Sequence, residues 1–141
     1  MPGILGFYPF GEGRENWNAS RFIYYGLNAL QGRGQEATGL AVYSGEKGLL
    51  KPVDSNCMVE DFFKEMTGSI PEGFIAVGHV SPVRDDCVIH VEKPVKLVLV
   101  GDGKTSLGED KISSFKLLAE GLAERISKKA DPLEGAPQAR C

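Results

Sequence analysis

Hydrophobic residues along this chain change rhythm several times, and each rhythm predicts a different element. Residues 3–8 are a short apolar run and read as a strand. Residues 10–17 interrupt it with polar and charged positions and read as a loop. From about Asn18 the residues Phe22, Ile23, Gly26, Leu27 and Leu30 share one 3.6-period face, which predicts a helix capped by Asn18 or Ser20. Gly32-Arg33-Gly34 ends that helix, on the expectation that glycine takes the left-handed conformation common at helix ends.

Further along, residues 38–43 and 49–53 flank Ser44-Gly45-Glu46-Lys47-Gly48 and predict a β-hairpin. Residues 60–66 read as a short helix, acidic early and followed by Gly68. Residues 74–80 and 95–100 are almost continuously apolar, which predicts strands buried on both faces. The last periodic stretch, residues 109–129, aligns Ile112, Phe115, Leu118, Leu122 and Ile126 on one helix face, with Ser106 and Glu109 as a capping box. Beyond it, residues 130–141 are rich in Pro, Gly and polar residues and are expected to be a disordered tail. One domain over residues 1–129, of mixed α and β elements and without internal repeats, is the organisation these patterns imply.

Composition narrows the function classes. A chain of 141 residues with 42% hydrophobic content can bury a single core. Its net charge of −3, with both signs interspersed, gives no electrostatic basis for binding nucleic acid or an anionic membrane. The longest apolar runs are too short to span a bilayer, and residues 9–15 are too polar for a signal peptide, so a cytoplasmic protein is expected. Cys57, Cys87 and Cys141 are odd in number and lack a C-x-x-C pair, which predicts free thiols. His79 and His90 have no ligand partners at metal spacing, so neither metal nor cofactor is expected.

One stretch is more specific than composition. Residues 24–41, Y-Y-G-L-N-A-L-Q-G-R-G-Q-E-A-T-G-L-A, resemble the helix-turn-strand segment of class II glutamine amidotransferases. The nearest pattern is that of the amidophosphoribosyltransferase glutaminase domain, L-x-A-L-Q-H-R-G-Q-E-S-A-G-I-A, with Gly32 here in place of histidine. Gly78-His79-Val80 is similar to the start of the family's G-H-V-R-Y-S-T strand end. The resemblance fades from Met1 towards about Leu122. It implies an α+β fold of the N-terminal-nucleophile hydrolase type, an αββα sandwich with two antiparallel sheets between helix layers. The sandwich would be truncated, because the family's domain continues with more strands beyond residues 133–136.

The family's chemistry needs a terminal thiol that attacks the glutamine amide, with its own α-amino group moving the proton. Donors must face the developing oxyanion, an arginine fork must hold the substrate carboxylate, and an aspartate must receive its ammonium. The resemblance places Pro2 at the nucleophile, followed by Gly3. It puts Ser81 where the arginine belongs, with Arg84 three residues further on. Gly101-Asp102-Gly103 stands in place of H-N-G, so Asp102 replaces the donor asparagine while Gly103 keeps a backbone N–H. An ionised carboxylate has no proton to donate, and losing one such donor costs ~10²–10³ in rate. Asp110 matches the amine-binding aspartate, although a first-turn aspartate facing the helix dipole explains it equally well.

Three of these departures fall on one reaction, so the resemblance implies a pseudoenzyme without glutaminase activity. Its expected role is binding or regulatory, as a homodimer or as a subunit of an amidotransferase or ammonia-using synthase, with a glutamine-like small molecule as candidate ligand. Uncovered sheet edges in a truncated sandwich favour such association. Other readings stand beside it. Residues 96–106 look like a phosphate loop, yet the first glycine of G-x-x-x-x-G-K-[ST] falls on Val98, leaving a tighter anion nest of Gly101, Asp102, Gly103 and Lys104 for a nucleotide or anion. An active amidotransferase would need a non-standard nucleophile such as Cys57 or Cys87, or an amine mechanism at Pro2. A decayed fragment without function is the remaining reading.

Overall fold

The computed structural model describes residues 2–84, 88–101 and 111–135. Two compact units divide the chain. The first holds the described residues up to Val88 together with Val100 and Gly101; the second holds Ile89–Leu99 and the C-terminal helix.

The first unit is a four-stranded antiparallel sheet with two helices packed on it. Its strands are β1 (Gly3–Phe7), β2 (Ala37–Tyr43), β3 (Val53–Ser55) and β4 (Ile75–Ser81), in the order β1-β4-β2-β3. The predicted first strand is present as β2, but of the predicted strand at 49–53 only Leu49 makes an isolated bridge, and the strand proper, β3, begins at Val53. Tyr43 bridges to Leu49, Ser44 N–H bonds the Gly48 carbonyl at 2.9 Å, and β3 then pairs with Thr38–Leu40 of β2.

The first helix, α1, spans Ala19–Leu30, as its apolar period predicts. Asn18 caps it, its Oδ1 accepting from Arg21 N–H at 3.3 Å, whereas the Ser20 hydroxyl turns away to the Pro71 carbonyl. Ile23 and Leu27 are fully buried against the sheet with Leu40, Val42 and Val80. Close packing there depends on Gly78, since a Cβ on it would lie 2.4 Å from Ile23 Cγ2 and 2.8 Å from Leu27 Cδ1. Phe22 departs from the expected core face. It is 42% exposed and stacks on Phe7, centroids 4.4 Å apart, with Trp17 tilted beside both.

The second helix, α2 (Val59–Glu65), brings Val59, Phe62 and Phe63 into the same core. Gly68 follows it at φ 85°, the left-handed region where a side chain is disfavoured. On β4, buried residues occupy both faces, as its continuous apolar run predicts.

The second unit contains most of β5 (Val88–Val91) and β6 (Leu97–Val100), which form a two-stranded sheet, and α3 (Lys111–Gly135). Two expectations are corrected here. All four residues of β6 are half-buried rather than enclosed, as befits a sheet of only two strands. On α3 the buried positions with described side chains are the small residues Ser114, Ala119 and Ala123, while Leu122 and Ile126 are exposed. α3 runs on through residues 130–135. Residues 136–141 lie outside the described residues, as does the predicted capping box of Ser106 and Glu109.

Candidate functional site

The site begins where three strands end together. β1 pairs with β4 so that Gly3 faces Val80 and Ile4 faces His79. Continuing that register by one residue sets Pro2 beside Ser81. On its other side Ser81 faces Ala37, the first residue of β2. Ser81 therefore sits between Pro2 and Ala37 at the end of the central strand, fully buried.

Its polar groups are engaged in local structure. The Oγ accepts from Val83 N–H at 3.2 Å, and the carbonyl accepts from Glu36 N–H at 3.0 Å. The turn that follows α1 leans directly on this strand end. A Cβ on Gly34 would lie 2.4 Å from the Ser81 nitrogen and 2.6 Å from the Val80 carbonyl carbon. Gly34 has φ −169°, an extended conformation open to any residue, so proximity and not handedness demands glycine. The expected left-handed stop is thus corrected. Residues Gln31–Arg33 continue α1 as a tighter 3-10 turn, and Gly32 is not among the glycines with positive φ.

Gln31 was visible in the motif but its work was not. Its Nε2 donates to the Gly34 carbonyl, closing the turn, while its Oε1 accepts from Val59 N–H at 2.8 Å. Val59 opens α2, whose own N-cap residue Met58 offers no side-chain hydrogen bond. Gln31 therefore caps a helix 28 residues away. A helix opening on Met58, whose own side chain has no oxygen to accept, was the available signal that another group must supply the acceptor. Thr38 does similar work. Its Oγ1 donates to the Cys57 carbonyl at 2.8 Å, tying β2 to the turn before α2.

Arg84 returns towards the strand end. Its Nε lies 3.1 Å from Glu36 Oε2, with the two side chains 70% and 49% exposed. A pair so open to water contributes between about 0 and 1 kcal/mol, so Glu36 holds the guanidinium only weakly. His79 lies in the sheet between Ile4 and Gly39 and has no exposed surface, consistent with a structural role.

The structure thus brings Pro2, Gly3 and Ser81 together and places Arg84 near them. Asp102, Gly103, Lys104 and Asp110 lie outside the described residues, and so does Cys87. Two surface clefts of about 460 and 450 Å3 occur elsewhere, meeting at Asn18 and Glu72, and neither is lined by Pro2 or Ser81. Among the described residues no cluster of three or more His, Cys, Asp or Glu could hold a metal ion. None of the described helices is long and apolar enough to cross a membrane.

A mixed α/β unit with an antiparallel sheet, carrying the Gln31–Ala41 motif against a G-H-V strand, is what an amidotransferase-like chain would present at this site. No family model matches the chain. Similarity to amidophosphoribosyltransferases is nevertheless direct. The chain is 40% identical over 80 residues to the amidophosphoribosyltransferase of Methanocaldococcus jannaschii, covering 57% of this chain and 16% of that protein. It is 38% identical over 77 residues to that of Mycobacterium tuberculosis and 36% identical over 77 residues to that of Synechococcus elongatus. In each of those two cases 55% of this chain is matched, against 13% and 14% of the relative. The chain therefore spans only a small part, at most 16% by matched length, of these curated relatives.

Proposed function

We propose that this chain is a glutamine amidotransferase-like domain without glutaminase activity, acting as a binding or regulatory subunit through association with other chains. The carrying observation is the residue that precedes Gly3 on β1. Register sets Pro2 beside Ser81, against the Gly34 turn, and a proline there has neither a thiol nor a hydroxyl with which to form an acyl intermediate. The second support is the strand end itself. The resemblance puts Ser81 where the carboxylate-binding arginine belongs, and the guanidinium of Arg84, three residues on, is turned to Glu36. Asp102, in place of a donor asparagine, would add a negative charge where the reaction develops one. In this reading the domain completes an αββα sandwich in the cytoplasm, as a homodimer or with a synthase or amidotransferase subunit, and any small ligand is glutamine-like.

Intact-mass measurement after incubation with an electrophilic glutamine analogue tests the reading. The expected result is an unmodified chain. An adduct that forms saturably and is prevented by excess glutamine would identify a working nucleophile and end the proposal.

A further inference from the structure

One edge of the first unit is built from two stretches without a charged side chain. Among the described residues β1 pairs with β4 alone, so its outer side is a sheet edge. The flank of α1 turned towards β1 presents Phe22, stacked on Phe7, then Gly26, over which Leu5 packs, then Ala29. Phe22 and Ala29 are exposed, as is Ile4 on the strand. Neither residues 2–11 nor residues 22–32 contain Asp, Glu, Lys or Arg, in a chain with 25% charged residues. A solvated helix face at that composition normally carries charge, and its absence marks a surface that is covered.

We infer that this strip joins two copies of the chain, β1 pairing antiparallel with β1 of the second copy about a two-fold axis at Leu5. The inference rests on the reading of the chain as a domain that works by association. The order Gly3-Ile4-Leu5-Gly6-Phe7 is self-complementary in that register. Reversed about Leu5, it sets Ile4 opposite Gly6 and Phe7 opposite Gly3, so those large side chains meet glycines across the ladder. A two-fold interface brings each group near its own counterpart, and a strip without charge meets itself without like-charge contacts. A charged partner surface would instead bury its charges unpaired. The two-fold axis runs perpendicular to the sheet, so both α1 helices lie on the same side and their Phe22–Ala29 flanks face each other. That continuation matters. Pro2 and Pro9 limit the ladder to a few residues because neither has an N–H, and so short a ladder falls below the ~800 Å2 per partner typical of stable interfaces.

Sedimentation of the chain over a range of concentrations tests this, with Gly6→Lys as the decisive variant. No atom lies within 4 Å of a Cβ built on Gly6, so the substitution fits a single folded chain and sets an ammonium opposite Ile4 of the other copy. The wild type and the control Glu46→Lys, in the β2–β3 turn, are expected to show the mass of two chains. Gly6→Lys is expected to show one chain with an unchanged circular dichroism spectrum, its dissociation constant raised at least about tenfold. A wild type of one-chain mass throughout, or a Gly6→Lys variant that stays paired, overturns the inference. Ammonia release from glutamine, measured on the same samples, separates the two ideas. An inactive single chain removes only the interface, and an active pair removes only the catalytic reading.

Discussion

The turn after α1 and the strand end it leans on are adjacent, yet they are specified very differently. In the turn the contacts of Gln31, Gly34 and Glu36 N–H are structural. Gln31 closes the loop and caps α2, Gly34 fits against backbone, and Glu36 N–H fastens β2 to the Ser81 carbonyl. At the strand end, in the proposed reading, the groups that would do chemistry are replaced or turned to local use. Pro2 offers no nucleophile, the Ser81 hydroxyl serves the Val83 amide, and Arg84 meets Glu36 in water. What the difference teaches is that packing restrains a sequence wherever backbone meets backbone, whether or not a reaction takes place beside it.

Substitutions can break or sharpen that contrast. Gly34→Ala is expected to cost the most, about 3 kcal/mol or more, because its methyl would meet the Ser81 backbone rather than a movable side chain. Urea denaturation measures it, and a loss under ~1 kcal/mol would mean that the turn is loosely held. Gly78→Ala comes next at about 1–3 kcal/mol, since the colliding Ile23 and Leu27 methyls can rotate away at some expense. Gln31→Ala should remove about 1–2 kcal/mol and speed hydrogen exchange at the Val59 amide specifically. Gln31→Glu retains the acceptor for Val59 N–H while losing the donor to Gly34, so exchange at Val59 should stay slow even as stability falls. At the strand end, Arg84→Ala and Glu36→Ala are expected to change stability by less than ~0.5 kcal/mol each, with little coupling in a double-mutant cycle.

Much of the first unit was legible because its rhythm is carried by large residues. Ile23, Leu27 and Leu30 announced α1, the Ser44–Gly48 turn announced a hairpin, and the apolar run through Val80 announced a doubly covered strand. What escaped was contact between distant parts of the chain. Nothing local to Gly34 shows that it touches Ser81, and the left-handed explanation failed because it considered the glycine without its neighbour. Gln31 capping Val59 is likewise invisible to periodicity. On α3 the large residues led the eye to Leu122 and Ile126, whereas the buried positions are Ala119 and Ala123, residues too small to register as a hydrophobic stripe. Pro2, Gly3 and Ser81 lie together at the strand end through the β1–β4 register, which follows from the same alternation that fixes the sheet. The expectations for Asp102, Gly103 and Asp110 fall on positions outside the described residues.

The most direct measurement is the rate of ammonia release when the purified chain is given saturating glutamine. A framework kept without its chemistry predicts a rate equal to that of buffer alone, unchanged by thiol alkylation. Release that saturates with glutamine and disappears on alkylation would contradict it.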